Sequence, residues 1–574
     1  MGLPELLTEL FTQKGLFPGQ NVRVTQATAN EPRSESAIVV DPSNPDRLLG
    51  ASKRFLQPHN YVFSLGAVFS SDGGATWQDL PVFQPPANHD IWTDPSATFD
   101  TAGDAWVMGD PGFHQAGSQQ FANSLGCQGV EDIQTTHMLA QKSADDGANW
   151  TPHLVIAPRC KDDDKGWLLC DNSTEVTISP YPHPKAQWAS PYHGRLYAIW
   201  GANTNLRFAR SSDGGQSWKG VGTQSAGADC GPYSYAPDIS IGRNGTIHVF
   251  WHIPNTDSIQ YLRSKDGGET FEGDGTIVNG FPNPRPVVTG LTDIHKGIAN
   301  RVGSDPSNTW PAFEPSNFRV LTIVASCCFG SNGVAIAWAD AEGGHSRIYY
   351  RLSIDGGDTW VGPARGTPML PNLVGDSHQF HPQLATTGSG VLGCAMYSYS
   401  KTARPGNQPG VSVLVAGSFD DGATWEFKPI TDQPWDPATN APWAHGDSNV
   451  TFIGEYFGFD AGKSEFHVLW TDTRHGNQDL YYARVDTEQE KNWLPELVAT
   501  YVSPGVSRDG GGFIIINGHI IRIPPWDPLR PILDVAVAIQ AVSQVGTAKS
   551  VRAREMLYDL MIDVAKQAKK QLKE

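Results

Sequence analysis

SSDGGATW, Ser70 to Trp77, spells out a tight turn, and the chain repeats it five more times. The copies are SADDGANW (Ser143 to Trp150), SSDGGQSW (Ser211 to Trp218), SKDGGETF (Ser264 to Phe271), SIDGGDTW (Ser353 to Trp360) and SFDDGATW (Ser418 to Trp425). In the shared pattern S-x-D-x-G-x-[TSN]-[WF] the aspartate can bond its own backbone, the glycine takes the tight bend and the terminal aromatic plugs the gap beside it. Each copy therefore predicts a hairpin turn. The aspartates, at 72, 145, 213, 266, 355 and 420, are separated by 73, 68, 53, 89 and 65 residues, a spacing that suits four-stranded propeller blades with loops of unequal length.

With these six motifs the chain resembles the Asp-box (BNR) repeat proteins, the class that includes sialidases. The resemblance implies an all-β propeller in which the box turns join third to fourth strands on the face away from the active site. It thus makes the six aspartates turn staples with no catalytic role. A fold of this kind hosts many activities, so the motif speaks for architecture more than for chemistry.

Upstream of the boxes the second strands read LYAIW (to Trp200), IHVFW (to Trp251), VAIAW (to Trp338), GCAMY (to Tyr397) and FHVLW (to Trp470). The last of these belongs to a unit without a box, so strand sets number seven where boxes number six. The count is reconciled if the seventh blade takes its fourth strand from NVRVTQ (Asn21 to Gln26), which would pair with Leu480 to Val485 and remove an exposed sheet edge. A six-bladed ring, as in true sialidases, is the alternative. Residues 1–20, with LPELLTELF, read as a helical segment and 21–486 as the propeller. Residues 487–574 read as an extension with a hairpin over 512–523, turning at Asn517-Gly518, and helices over about 532–572. Those helices either pack on the propeller or serve as a homo-oligomerisation appendage.

Sixty Gly, 42 Pro and 18 Trp with 18% charged residues describe a turn-rich, aromatic-rich β protein. A formal charge of -18 disfavours nucleic acid or an anionic membrane as a bulk electrostatic partner, and no apolar run approaches a bilayer span. The seven Cys include no CxxC pair; Cys160 and Cys170 could close a loop, although buried free thiols fit the pattern better. The first residues lack the basic start and apolar run of a secretory signal, which leaves localisation open. No metal motif is present: DDDK (Asp162 to Lys165) lacks the spaced acids of a calcium loop, so no cofactor is expected and a structural Ca²⁺ has no support.

Function is expected where first strands enter the central channel. Aligning EPRSESAIVVD, WTDPSATFD, DKGWLLCD, YAPDISIG, FHPQLATT and FIGEYFGFD sets Ser36, Ser96, Trp167, Asp238, Gln383 and Glu455 at one register. Asp94, Lys165 and His381 precede it by one or two positions, Asp164 is close by, and the fifth unit offers only Arg319 as a guess. Convergent carboxylates with a Lys or His suit general acid-base work, so the candidate catalytic residues are Glu455, Tyr456, Asp94, Asp238, His381, Lys165 and His89. The candidate substrate-binding residues are Arg33, Trp92, Trp167, Tyr235, Arg474, His475 and His114. Trp200, Trp251, Trp338 and Trp470 recur in register and read as core.

Three functions fit. The resemblance implies a sialidase-like glycoside hydrolase with Tyr456 as nucleophile and Asp94 as acid, yet it also demands three carboxylate-binding arginines and an early Arg-Ile-Pro. The first unit begins EPRSES instead, and only Arg33 and Arg474 offer clamp members. A polysaccharide lyase cleaving uronic-acid glycans by β-elimination would use a cation with a His or Tyr base. A non-catalytic glycan- or protein-binding propeller would use the same aromatics without reaction.

Overall fold

The structure is a computed structural model. It describes residues 12–490, apart from 26–30, 88, 114–133, 136–137, 158–162, 174, 179–184, 189, 203–204, 234, 255, 308 and 372–374, and beyond them 502–506, 512–516 and 519–523. The chain divides into two compact units, Leu16–Thr487 and a second composed of Met1–Gly15 with Glu488–Glu574.

The larger unit is built of antiparallel sheets, seven of them with four or five strands among the described residues. In the first, Arg33–Asp41, Asn44–Gln57, Val62–Ser70 and Gln78–Asp79 follow one another as a meander, and the pattern recurs along the chain. The first strands of the others are Ile91–Phe99, Asp163–Cys170, Asp238–Ile241, Val324–Phe329, His378–Thr386 and Gly458–Ala461. The second strands are buried along most of their length and the third strands largely so, which places each sheet between its neighbours. One apolar cluster joins Leu49, Leu65 and Trp92 of the first and second sheets, and another joins Tyr197, Phe208 and Val249 of the third and fourth. A further cluster brings Leu469 and Tyr482 of the seventh sheet onto Ile38 and Leu48 of the first. Neighbours in space are thus neighbours in sequence, except where the last sheet meets the first. Trp200, Trp251, Trp338 and Trp470 are fully buried in these seams.

The six S-x-D turns link third to fourth strands, at the end of each sheet opposite the start of its first strand. In the third sheet the Ser211 hydroxyl donates to Asp213 Oδ1 at 2.7 Å, and the N–H groups of Gly215 and Ser217 donate to Ser211 Oγ and Asp213 Oδ1, each at 2.9 Å. The same three bonds form in the turns of Asp72, Asp145, Asp266, Asp355 and Asp420. Glycine is required in them for two reasons. Gly74 has φ 90°, and a Cβ there would lie 2.2 Å from the Tyr482 ring of the preceding sheet. Gly215 on Trp106 and Gly357 on Tyr261 repeat the arrangement.

The seventh sheet runs Gly458–Ala461, Glu465–Asp472 and Asp479–Glu490, and its outer position is taken from the other end of the chain. Val22 pairs with Tyr482 and Arg23 with Tyr481, as the reading of NVRVTQ expects; its last residue, Gln26, lies outside the described residues. The closing segment also begins earlier than that reading placed it. Thr12–Pro18 is a strand beside Asp479–Glu490, which corrects the helical reading of 1–20 for those residues. The unpaired edge offers backbone partners that a helix could not use, and Leu16 buries its side chain against Gly417 of the sixth sheet. Residues 1–11, holding all of LPELLTELF, lie outside the described residues.

In the smaller unit Gly512–Ile516 and His519–Ile523 form the expected hairpin, with Ile516 opposite His519, and Val502–Val506 adds a third strand that the sequence reading did not foresee. The turn residues Asn517 and Gly518 and the helices expected over 532–572 lie outside the described residues. Cys170 is a free buried thiol that burial, then Asp100, pushes up to about 12; Cys160 is outside the described residues. Among the described residues no helix is long and apolar enough to cross a membrane.

Candidate functional site

Four first strands carry a bulge where they begin. Glu35-Ser36, Asp94-Pro95, Lys165-Gly166 and His381-Pro382 each place two residues opposite one on the second strand. The leading residue of every pair is left-handed, with φ of 49° at Glu35, 50° at Asp94, 49° at Lys165 and 48° at His381. An L residue pays on the order of 1 kcal/mol for that conformation, and strain repeated at four polar residues points to a site. Ala236 (φ 43°) and Gly454 (φ 90°) adopt it just ahead of the fourth and seventh first strands. Gly454 has no substitute: a Cβ would lie 2.7 Å from the Glu35 nitrogen, and this close approach brings Glu455 beside Glu35.

The bulges correct the register read from sequence. That reading matched Ser36 with Ser96, whereas the pairing matches Glu35 with Asp94, Lys165 and His381. Ser36 instead turns to the seventh sheet, donating to the Leu469 carbonyl at 2.6 Å. Because side chains alternate along a strand, one extra residue is enough to exchange the channel-facing residue for its neighbour.

A closed ion network results. Lys53, from the second strand of the first sheet, places Nζ 2.5 Å from Glu35 Oε2 and 3.6 Å from Asp94 Oδ1. Lys165 pairs with Glu455 and lies 3.6 Å from Glu35 Oε1. Arg319, on the short strand Phe318–Arg319, puts Nε 2.9 Å from Glu455 Oε1 and Nη1 2.9 Å from His445 Nε2. Aromatic rings wall the cations in: Phe63 lies 4.6 Å from Lys53 Nζ, and Trp310 and Phe452 lie 4.8 and 4.7 Å from the Arg319 guanidinium. Lys165, Gly166, Trp167, Ala236, Ile323 and Tyr456 line a small cavity above it, and Trp167 meets the Tyr456 ring edge-on at 5.5 Å.

Burial and charge drive the titrating groups apart. For Asp94 the attraction of Lys53 and Lys165 outweighs burial and holds the carboxyl below its usual range; a hydrogen bond to Asp164 adds to this. Asp164 moves the opposite way, raised well above the usual value by burial and then by the charge of Asp94. Glu455 is brought down to about 2 because Arg319 and Lys165 overcome its burial. Lys53, Lys165 and Arg319 are each raised, burial being outweighed by the carboxylates around them. Burial drops His381 to about 3 and leaves it neutral, and neither ring nitrogen has a hydrogen-bond partner among the described residues. Burial, then Glu35 and Asp94, pushes the Tyr456 hydroxyl well up. Asp110, fully buried, is likewise raised by burial and by Asp94.

Of the residues expected from sequence, the fold brings Glu455, Tyr456, Asp94, Asp164, Lys165, His381 and Trp167 together. Tyr235 packs beside them on Leu321, Ile323 and Trp310. Asp238 is set apart, accepting from the Ser326 hydroxyl at 2.5 Å between the fourth and fifth sheets. Several binding assignments do not survive. Arg33 is fully buried and spent on Asp79, to which Nη2 donates at 2.9 and 3.0 Å. Trp92 is wholly inside the core between the first two sheets, so it offers no face to a sugar. Arg474 is bound to Asp432 and Asp472, and His475 to the Tyr481 hydroxyl, beside the closing strand rather than in the cluster. His89 stacks on Phe113 at 5.0 Å in the loop before the second sheet. His114 lies outside the described residues. Sequence reasoning missed Glu35, Lys53, His445 and Tyr61, whose ring lies 5.8 Å from Lys53 Nζ and 5.1 Å from the His445 ring. Glu35 was one bulge away from detection, but nothing local marks the other three. Among the described residues no set of His, Cys, Asp and Glu is arranged to hold a metal ion.

No family model and no curated protein matches the chain. Solved structures do resemble it distantly. A Dyadobacter fermentans protein of unknown function is 12% identical, covering 83% of this chain and 99% of its own, with a TM-score of 0.41. A PL25 ulvan lyase, 10% identical, covers 82% of this chain and 94% of its own at 0.41. The Trypanosoma rangeli sialidase, 10% identical, covers 71% and 60% at 0.39.

Proposed function

We propose that the chain is a seven-bladed Asp-box propeller that hydrolyses a glycosidic bond at the mouth of its channel. The observation that carries this reading is the cluster of Glu35, Asp94 and Glu455 held against Lys53, Lys165 and Arg319, beside which burial and the charge of Asp94 raise Asp164 well above the usual carboxyl range while the lysines hold Asp94 below it. Two carboxyls driven apart in this way supply an acid and a base at one pH. Asp164, half-buried and protonated, gives its proton to the leaving oxygen. This departs from the sequence expectation of Asp94 as acid, since Lys53 and Lys165 stabilise Asp94 as the anion. Tyr456 is the nucleophile: burial and the charges of Glu35 and Asp94 keep its hydroxyl protonated at rest, so the proton leaves toward Glu35 only as the bond to the sugar forms, with the Lys165 ammonium 5.5 Å from the ring. Trp167 gives the sugar an apolar side.

A panel of glycans, read for new reducing ends and for absorbance of an unsaturated uronate, tests this. Hydrolysis gives the first signal alone, β-elimination gives both, and a binding protein gives neither. Asp164→Asn and Tyr456→Phe should each lower kcat by about 100-fold or more, the scale for removing an acid-base group or nucleophile. The rate should also fall as pH rises through the elevated Asp164 pKa, because the donor is then lost. Undiminished turnover in both variants would refute the assignment.

A further inference from the structure

We infer that the sugar unit bound at this mouth is electrically neutral, bearing no carboxylate; the inference deepens the reading of the site as a glycosidase. Its basis is the state of the cations. Lys53, Lys165 and Arg319 are the basic groups of the cluster, their side chains 5%, 7% and 8% exposed, and each already faces a carboxylate of the protein. Lys53 serves Glu35 and Asp94, Lys165 serves Glu455 and Glu35, and Arg319 serves Glu455 and bonds His445.

An incoming carboxylate would have to displace one of these partners. The displaced group, Glu35 at 1% exposure or Glu455 at 0%, would then keep one of its two cations while staying buried, and the balance of three cations against Glu35, Asp94 and Glu455 would be lost. An excess of negative charge in a buried cluster is unfavourable. A substrate anion left unpaired would face Glu35, Asp94 and Glu455 directly. A neutral sugar meets no such penalty. Trp167, Ala236 and Ile323 give the small cavity an apolar side toward which such a sugar can turn a C–H face. Elsewhere on the first sheet and on the closing side, Arg33, Arg54 and Arg474 are likewise paired, with Asp79, Glu31 and Asp432.

The test uses the full chain and two probe sets of matched leaving group: 4-nitrophenyl glycosides of neutral hexoses and pentoses, and 4-nitrophenyl sialoside and glucuronide. Calorimetric binding of the corresponding neutral and acidic oligosaccharides is measured in parallel. The expected result is kcat/KM at least 100-fold higher, or affinity at least 10-fold tighter, for a neutral member. Binding of a neutral sugar without turnover supports the charge inference while refuting the hydrolase reading. Preference for an acidic sugar overturns the inference even if hydrolysis occurs, and failure of both sets to bind overturns it as well. Glu455→Gln supplies a second check: releasing Lys165 and Arg319 should tighten binding of the acidic oligosaccharide at least 10-fold, and no gain in a folded variant counts against the inference.

Discussion

The Tyr482 hydroxyl donates to the Gly73 carbonyl at 3.0 Å, joining residues 409 positions apart and tying the seventh sheet to the turn of the first. His467 Nδ1 meets the same hydroxyl at 2.7 Å from the neighbouring strand. Tyr261 makes the corresponding contacts with His248 at 2.7 Å and the Gly356 carbonyl at 3.4 Å, between the fourth and fifth sheets. Tyr350 likewise donates to the Gly422 carbonyl at 3.1 Å between the fifth and sixth sheets, so a tyrosine across the seam is a repeated pin, used between sequential neighbours and again where the chain closes on itself.

Removing the hydroxyl should show what the closing pin contributes. Tyr482→Phe keeps the ring over Gly74 but leaves buried His467 without this partner, and it is expected to cost about 1–3 kcal/mol. Denaturant unfolding measures it. A cost no larger than that of an exposed Tyr→Phe change would mean that the pin is incidental.

Closure by the N-terminal segment makes a stronger claim. Deleting residues 1–27 removes Thr12–Pro18 and Val22–Arg23 and bares the Asp479–Glu490 edge, so the truncated chain should aggregate. Light scattering and thermal melting check this, and a soluble truncation that melts like the full chain contradicts it.

The S-x-D turns should matter for stability alone. Asp213→Ala loses the bonds from Ser211 and Ser217 and should destabilise by about 1–3 kcal/mol, with turnover per folded molecule unchanged because the turn lies at the opposite end of the sheet. The Ser217 hydroxyl bond, foremost, lowers Asp213 to about 2. A depressed pKa places its stabilisation above the unfolded value near 3.8 and removes it as pH falls through about 2, so variant and parent should converge in acid.

Asp238 carries the opposite sign. Burial raises it to about 7 despite the Ser326 bond, so the folded chain holds a proton that the unfolded chain has released. Stability is then highest below the unfolded pKa and declines as pH climbs through about 7. Asp238→Asn, which still accepts from Ser326, should remove that decline and raise Tm at pH 8 relative to the parent by about 1–3 °C, with no gain at pH 4. An equal shift at both pH values would show that the carboxyl does not titrate there.

What the sequence determined by itself were the features whose physics is local. Each S-x-D turn closes its hydrogen bonds within eight residues, so six copies announced their geometry wherever the chain carried them. Recurrent apolar runs ending in an aromatic identified second strands and their tryptophans for the same reason, and NVRVTQ stood out because one strand set lacked a fourth member. The site was legible in part: Asp94, Lys165, His381 and Glu455 sit at marked strand starts. Only the tertiary structure decided the rest. A bulge adds one residue to a strand of period two, and its presence depends on the partner strand, so Glu35 was hidden behind Ser36. Lys53 and Arg319 reach Glu35 and Glu455 from other strands, and whether a cation is spent on the protein or free for a ligand is a matter of distances across sheets. Arg33 and Arg474 look available in sequence and are paired in space, because burying a guanidinium is tolerable only beside a carboxylate.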